Sequence, residues 1–146
     1  MDHHKRHKHD IIVIFSVFGL AVSLYLAVSH YLGIAVPCDI TKGCEAVLNS
    51  KYAFLVGLPL SVWGVIYFGS VIPAALLANH YDVWRKILTW VLGAGSVLAV
   101  IFIGIQFFAI KKVCQYCLTT DIVIIMLFIL DLNIEHQKLD SSLKKP

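Results

Sequence analysis

Four long apolar runs, at residues 11–36, 54–78, 87–110 and 113–132, leave this chain few folds to choose from. Each matches the roughly 17–25 helical residues that cross a hydrocarbon core about 30 Å thick, and they contain almost no charge. In lipid every backbone N–H and C=O must find its partner within the protein, so runs of this length become helices. The composition agrees: 59% of the residues are hydrophobic, against about 45–50% in soluble domains. The expected fold class is all-α integral membrane, a four-transmembrane-helix bundle. The first run is too long for the roughly 7–15-residue core of a secretory signal, and Pro37 stands where a cleavage site needs a small residue, so it reads as a retained span. With no linker or soluble block of any length, residues 1–146 read as one domain.

Charge sets the orientation. Lys5, Arg6, Lys8, Arg85, Lys86, Lys138, Lys144 and Lys145 fall on one side of the membrane, while Lys42, Lys51, Lys111 and Lys112 fall on the other. Eight against four places both termini and the middle loop in the cytoplasm, in the cell's inner or plasma membrane. Four spans also impose a parity, because the first and third loops must share a face whichever way the chain inserts. That face carries all four cysteines, and extracytoplasmic thiols are free to oxidise.

The loop from 37 to 53 is more than a connector. Pro37 helps to end the first helix and Gly43 loosens the turn between two cysteines. Ala46, Val47, Leu48, Tyr52 and Phe54 recur at near-helical spacing, which predicts a short interfacial helix over 44–50, in the first extracytoplasmic loop, capping the mouth of the bundle. Within the spans, Gly57, Pro59, Gly64 and Pro73, then Gly93, Gly95 and Gly104, predict close helix contacts and local kinks.

The chemistry rests on two thiol pairs, Cys38 with Cys44 in PCDITKGC and Cys114 with Cys117 in KKVCQYCLTTD. A CxxC in the first turn of a helix faces unpaired backbone N–H groups and the positive end of the helix dipole, both of which stabilise a thiolate. The spacing puts Cys114, Cys117 and Asp121 on one helix face. An intramembrane carboxylate is a candidate functional group, so Asp121 reads as a proton donor or ligand contact. Cys38 and Cys44 close too short a loop for a bridge to stabilise much, which favours a mobile pair that exchanges with Cys114 and passes two electrons inward. Static disulfides and an all-thiolate zinc site are the competing readings; zinc pairs usually come as CxxC twice, so no metal is expected. His3, His4, His7 and His9 form a histidine-rich head that reads as a solvated cap. His30 and Gln106 sit near the outer span ends, where an interfacial hydrogen bond is the expectation. Nothing suits phosphate or nucleic-acid binding, and the +3 net charge is accounted for by the cytoplasmic ends.

The motifs PCDITKGCEAVLNSKYA, GLPLSVWGVIYF and CQYCLTT together resemble the vitamin K epoxide reductase family, across nearly the whole chain. Related bacterial disulfide-forming quinone reductases place CxxC in the first outer loop, whereas here it comes last. The resemblance implies four helices around a quinone, of ubiquinone, menaquinone or vitamin K type, with Cys117 against the ring. It further implies that Cys114 exchanges with Cys44 and that Cys38 forms a mixed disulfide with a thioredoxin-like (DsbA-like) protein. Many bacterial relatives carry that partner as a fused domain; this chain ends at Pro146 without one, so the partner is expected to act in trans. Vertebrate members have an Asn near the start of the second span and a Tyr four residues after CxxC; the matching positions are Leu60 and Asp121, a departure that argues against epoxide reduction. Leu60, Trp63, Phe107 and Phe108 are the expected apolar wall of a quinone pocket. The expected activity is thiol:quinone oxidoreduction in support of disulfide formation. Its rivals are reduction of vitamin K quinone or epoxide, and a non-catalytic scaffold stapled by disulfides.

Overall fold

The computed structural model describes residues 3–38, 43–78 and 80–143, with residues 3–9, 138, 139 and 141 described by their backbone alone. The side chains of His3, His4, His7, His9, Lys5, Arg6, Lys8 and Lys138, together with Lys42, Lys144 and Lys145, lie outside the described set. Among the described residues there are five α-helices: α1 (His3–Leu32), α2 (Cys44–Leu48), α3 (Leu60–Leu77), α4 (Asp82–Gly104) and α5 (Gln115–Leu143). Four of them are long and apolar enough to cross a membrane, over Asp10–Leu32, Leu60–Leu77, Asp82–Ile110 and Gln115–Gln137. The protein is an all-α integral membrane bundle. Around the bundle α1 neighbours α3 and α5, and α4 neighbours α3 and α5, which closes a ring.

The span limits differ from those expected, for local reasons. α1 stops at Leu32 instead of Val36 because Gly33 turns left-handed at φ 64°; its N–H bonds to His30 O and the N–H of Ile34 to Ser29 O. These paired bonds satisfy the last carbonyls of the helix, the usual service of a glycine just past a helix end. α3 starts at Leu60 instead of Phe54. The apolar residues before it form a small antiparallel hairpin, Phe54–Leu55 against Leu58–Pro59, turned by Val56 and Gly57 at φ 55° and 80°. Two positive φ values in a row make the tight turn that matches strand twist. Gly57 therefore serves a hairpin and not a helix contact, and Trp63 Nε1 fastens the hairpin to α3 by donating to Leu55 O at 3.1 Å. α4 begins at Asp82, five residues before the expected start, and Arg85 in its first turn pairs with Glu135 of α5.

Packing inside the ring follows side-chain size. Ile12, Phe68, Val71, Leu88, Leu92 and Leu127 form the buried apolar core at one end of the bundle. Gly64 lets α3 approach α1: a Cβ there would come within 2.6 Å of Ser23 Oγ. Toward the same end Thr89 donates to Asp131 Oδ2 at 2.6 Å, so that α4 and α5 share a polar clasp as well as apolar contact. Polar bonds inside a span avoid leaving a carboxylate unsatisfied in hydrocarbon.

The first loop folds over the other end. α2 has only five residues and holds its place by burying Cys44 and Val47, followed by a 3₁₀ turn at Lys51–Ala53. Ala46 is exposed and Tyr52 and Phe54 are partly so, so the buried face is narrower than the sequence spacing predicts.

Candidate active site

Parity alone requires the two cysteine-bearing loops to share one end of the bundle, and the fold goes further by packing them together. Cys44 and Cys114 are both fully buried in one small cluster with Val47, with Cys38 and Cys117 packed against it. Cys38 and Cys44 are joined in a disulfide, with Cα atoms 6.0 Å apart, while Cys114 and Cys117 are free thiols. The inner pair is therefore a reduced dithiol lying directly beneath an oxidised pair.

Two contacts press the pairs together. Gly43 lies against the backbone just before CxxC, where an added Cβ would meet Val113 O at 2.7 Å and Val113 N at 3.0 Å. Backbone cannot step aside as a flexible side chain can. Gly43→Ala should therefore lift α2 from the CxxC and slow exchange between the pairs about tenfold, measured by quenched-flow thiol trapping, with the spans still helical by circular dichroism. The second contact is made by Tyr116, a middle residue of the CxxC, whose hydroxyl donates to Pro37 O at 3.2 Å beside Cys38, with its ring tilted on Tyr25 at 6.0 Å between centroids.

Cys114 stands at the N-cap of α5 and not inside its first turn: helix assignment starts at Gln115, and the N–H of Leu118 donates to Cys114 O at 2.9 Å. Its sulfur caps the helix, accepting from the N–H of Cys117 at 3.3 Å. Hydrogen bonding from the Cys117 side chain, assisted by the backbone N–H groups of Cys117 and Tyr116, holds the Cys114 pKa below the ordinary thiol value against the opposing effect of burial. The sign of the pH dependence follows. Thiolate is favoured above this depressed pKa and is lost as pH falls through it, so exchange at Cys114 should rise with pH and level off before an ordinary thiol would. Thiol-trapping rates of Cys114 in reduced Cys38→Ser/Cys44→Ser protein, which keeps Cys117, check this across a pH series.

Gln106 does more in the site than its place near the end of a span suggests. It is not interfacial but buried, 4% exposed, and it ties three parts of the site together. Its Oε1 accepts from the N–H of Cys114 at 2.9 Å, and its Nε2 donates to Asp121 Oδ2 at 3.5 Å. The backbone explains the aim. α4 passes into a π-helical turn at Ile105–Ile110, closed by Lys111 in a left-handed conformation at φ 54°. A π turn holds an extra residue and shifts the helix register, which is why such turns cluster at functional sites. Here the shift sends Gln106 and Ile110 inward, and Phe107 and Phe108 to the outer surface at 52% and 84% exposed.

Those two phenylalanines are therefore not part of the cavity wall that they were expected to form. A cavity of about 240 Å³ runs down from the thiols between the helices. Leu60 and Trp63 do line it, with Cys117, Asp121 and Gln106 in the same wall and Val47, Leu48 and Ala53 of the first loop over it. His30 also reaches the cavity, its ring edge-on to Phe54 at 5.4 Å between centroids. The lining is predominantly apolar, and its volume is just under the roughly 300 Å³ where small-molecule sites begin. Asp121 is 8% exposed, so the carboxylate faces the protein interior and not bulk water.

Four apolar spans, two cysteine pairs packed together at one end and a largely apolar cavity beside the inner pair make a candidate membrane redox site. The chain matches the family model described as "Vitamin K epoxide reductase family" over residues 10–132. It belongs to the vitamin K epoxide reductase family. The match runs from the start of the first span to within the fourth span, in α5, so both cysteine pairs and the cavity lie inside it. Membership makes the protein a redox enzyme of the thiol–disulfide oxidoreductase kind, and gives the stacked pairs a chemical context that packing alone does not.

Proposed function

We propose that this vitamin K epoxide reductase family protein oxidises the thiols of a separate thioredoxin-like (DsbA-like) protein outside the cytoplasm and delivers the electrons to a lipid quinone. The observation that carries the reading is the apolar cavity with Cys117, Asp121 and Gln106 in its wall, directly below the Cys38–Cys44 bridge. The cavity fits a quinone head on chemical grounds: an apolar enclosure of about ring size, with a thiol and polar side chains at one place in its wall. When bound there, a quinone supplies a two-electron, two-proton acceptor. Leu60 and Trp63 would hold its ring and Asp121 would hold or deliver a proton beside it.

The chain's own steps balance as follows. A partner thiolate attacks the Cys38–Cys44 disulfide at Cys38 Sγ, and resolution by the second partner thiol leaves the partner oxidised and Cys38 and Cys44 reduced. Cys44 thiolate then attacks the Cys114–Cys117 disulfide at Cys114 Sγ and releases Cys117 as thiolate. Cys38 attacks Cys44 Sγ, re-forming the outer disulfide and expelling Cys114. A lowered pKa at Cys114 favours that last departure, because better-stabilised thiolates leave faster. The product of these steps is an oxidised outer pair over a reduced inner pair, the arrangement described above. Two electrons and two protons then pass from the Cys114 and Cys117 thiols to the acceptor, and the inner disulfide returns.

Orientation belongs to the same reading: the cysteine end faces away from the cytoplasm, and the end carrying Arg85 faces it. The departure of Leu60 and Asp121 from the vertebrate Asn and Tyr supports quinone over epoxide as the electron acceptor. Reconstitution into liposomes with a reduced thioredoxin-like domain and ubiquinone or menaquinone tests the whole cycle. Partner thiols should disappear catalytically with quinol formed in equal amount; partner oxidation that ignores quinone would contradict it.

A further inference from the structure

Among the polar side chains of the same cavity, one carries a buried atom that the thiol chemistry does not use and that has no partner among the described residues. The residue is Tyr67 on α3, and the atom is its hydroxyl oxygen. A buried, unpaired hydroxyl is costly to the fold, so its presence calls for an explanation. Its ring is held edge-on to Phe68 at 5.3 Å between centroids. On the facing helix the space for the hydroxyl is made by Gly95: any Cβ at that position would overlap the Tyr67 oxygen and ring. The oxygen is thus housed, yet unsatisfied.

Its depth can be read from neighbouring contacts. Gly95 meets the Tyr67 oxygen, and the next residue, Ser96, donates to Ile124 O at 3.5 Å. Ile124 lies three residues further along α5 than Asp121, about 4–5 Å at 1.5 Å per residue. Asp121 and Gln106 therefore mark the cysteine end of the cavity, and Tyr67 marks a level about one helical turn deeper. A six-membered ring held between these levels would have one edge toward the Cys117–Asp121 end and the other toward Tyr67.

We propose that the Tyr67 hydroxyl donates a hydrogen bond to the deeper oxygen of the bound ring, so that the cavity selects rings oxygenated on opposite sides over apolar rings of the same size. The inference rests on the quinone reading and adds a specificity-determining residue to it. Two consequences separate it from a packing role. Tyr67→Phe removes an unpaired polar atom from the free protein, so thermal stability without ligand should hold or rise. The same change should weaken binding of an oxygenated ring only.

The test uses air-oxidised protein in detergent, which cannot pass electrons, with binding read by tryptophan fluorescence, since Trp63 is in the cavity wall. The probes are a menadione-type naphthoquinone and methylnaphthalene, the hydrocarbon lacking both oxygens. Tyr67→Phe is expected to raise the Kd for the naphthoquinone about tenfold, as for one neutral hydrogen bond, and to leave that for methylnaphthalene unchanged. Equal naphthoquinone affinity in both proteins overturns the role of Tyr67 while leaving the quinone site standing. Equal weakening for both probes assigns Tyr67 to packing and also overturns it. A wild-type protein that binds no naphthoquinone overturns the quinone reading and this inference together.

Discussion

Cys117→Ser should stop quinone-linked turnover, by about three orders of magnitude or more, and leave a Cys44–Cys114 bridge that accumulates. On the proposed path the thiol at 117 is the leaving group when Cys44 attacks the inner disulfide, and it is also the cavity-facing sulfur. Serine is too poor a nucleophile, and forms no disulfide, so neither role survives. Cys114 remains at the N-cap of α5, packed with Cys44, so its thiolate can attack Cys44 Sγ in the outer disulfide and free Cys38; without Cys117, only the return of Cys38 breaks the new bridge. The bridge should appear on non-reducing peptide mapping and vanish in Cys117→Ser/Cys44→Ser. A variant that still turns over would move the acceptor-facing role to another sulfur.

Asp121→Asn is expected to lower quinol formation about a hundredfold while leaving exchange between the two cysteine pairs nearly untouched. Asparagine matches the carboxylate in size and can keep the contact with Gln106 Nε2, but it cannot pass a proton. Loss of a positioned proton donor typically costs 10²–10⁴-fold. Single-turnover kinetics separate the steps: thiol trapping reports the exchange, and quinol absorbance reports the transfer that follows. If both steps slow alike, Asp121 supports the fold of the CxxC end and has no part in proton delivery.

The spans and the cysteine parity were legible because they depend on length and charge, which local conformation barely alters. What escaped was decided by single backbone geometries. The glycine at 33 carries a helix-stop signal, yet the apolar residues beyond it concealed the end of α1. Phe54 to Pro59 is as apolar as a span, and hydrophobicity without a period does not separate a buried strand from a helix. The π turn at Ile105–Ile110 has no sequence signature, so projecting a regular helix put Phe107 and Phe108 in the cavity and left Gln106 at the interface. Gln106 did carry a usable signal, since an amide in an otherwise apolar span seldom lacks a partner. The Tyr67 hydroxyl gives no such signal in the sequence, because tyrosines are frequent in membrane proteins and only the packing shows that this one is buried without a partner among the described residues.

On the proposed path the inner thiols, and not the outer pair, discharge electrons to a quinone. Mixing fully reduced, detergent-purified protein anaerobically with one equivalent of ubiquinone or menaquinone analogue, following quinol absorbance and mapping the remaining thiols at each time, tests this. One quinol per two thiols lost is expected, with Cys114 and Cys117 oxidised first and Cys38 and Cys44 following as the bridge is passed outward. Thiols that stay reduced with both quinones, or an outer pair that oxidises while Cys114 and Cys117 remain free, would contradict it.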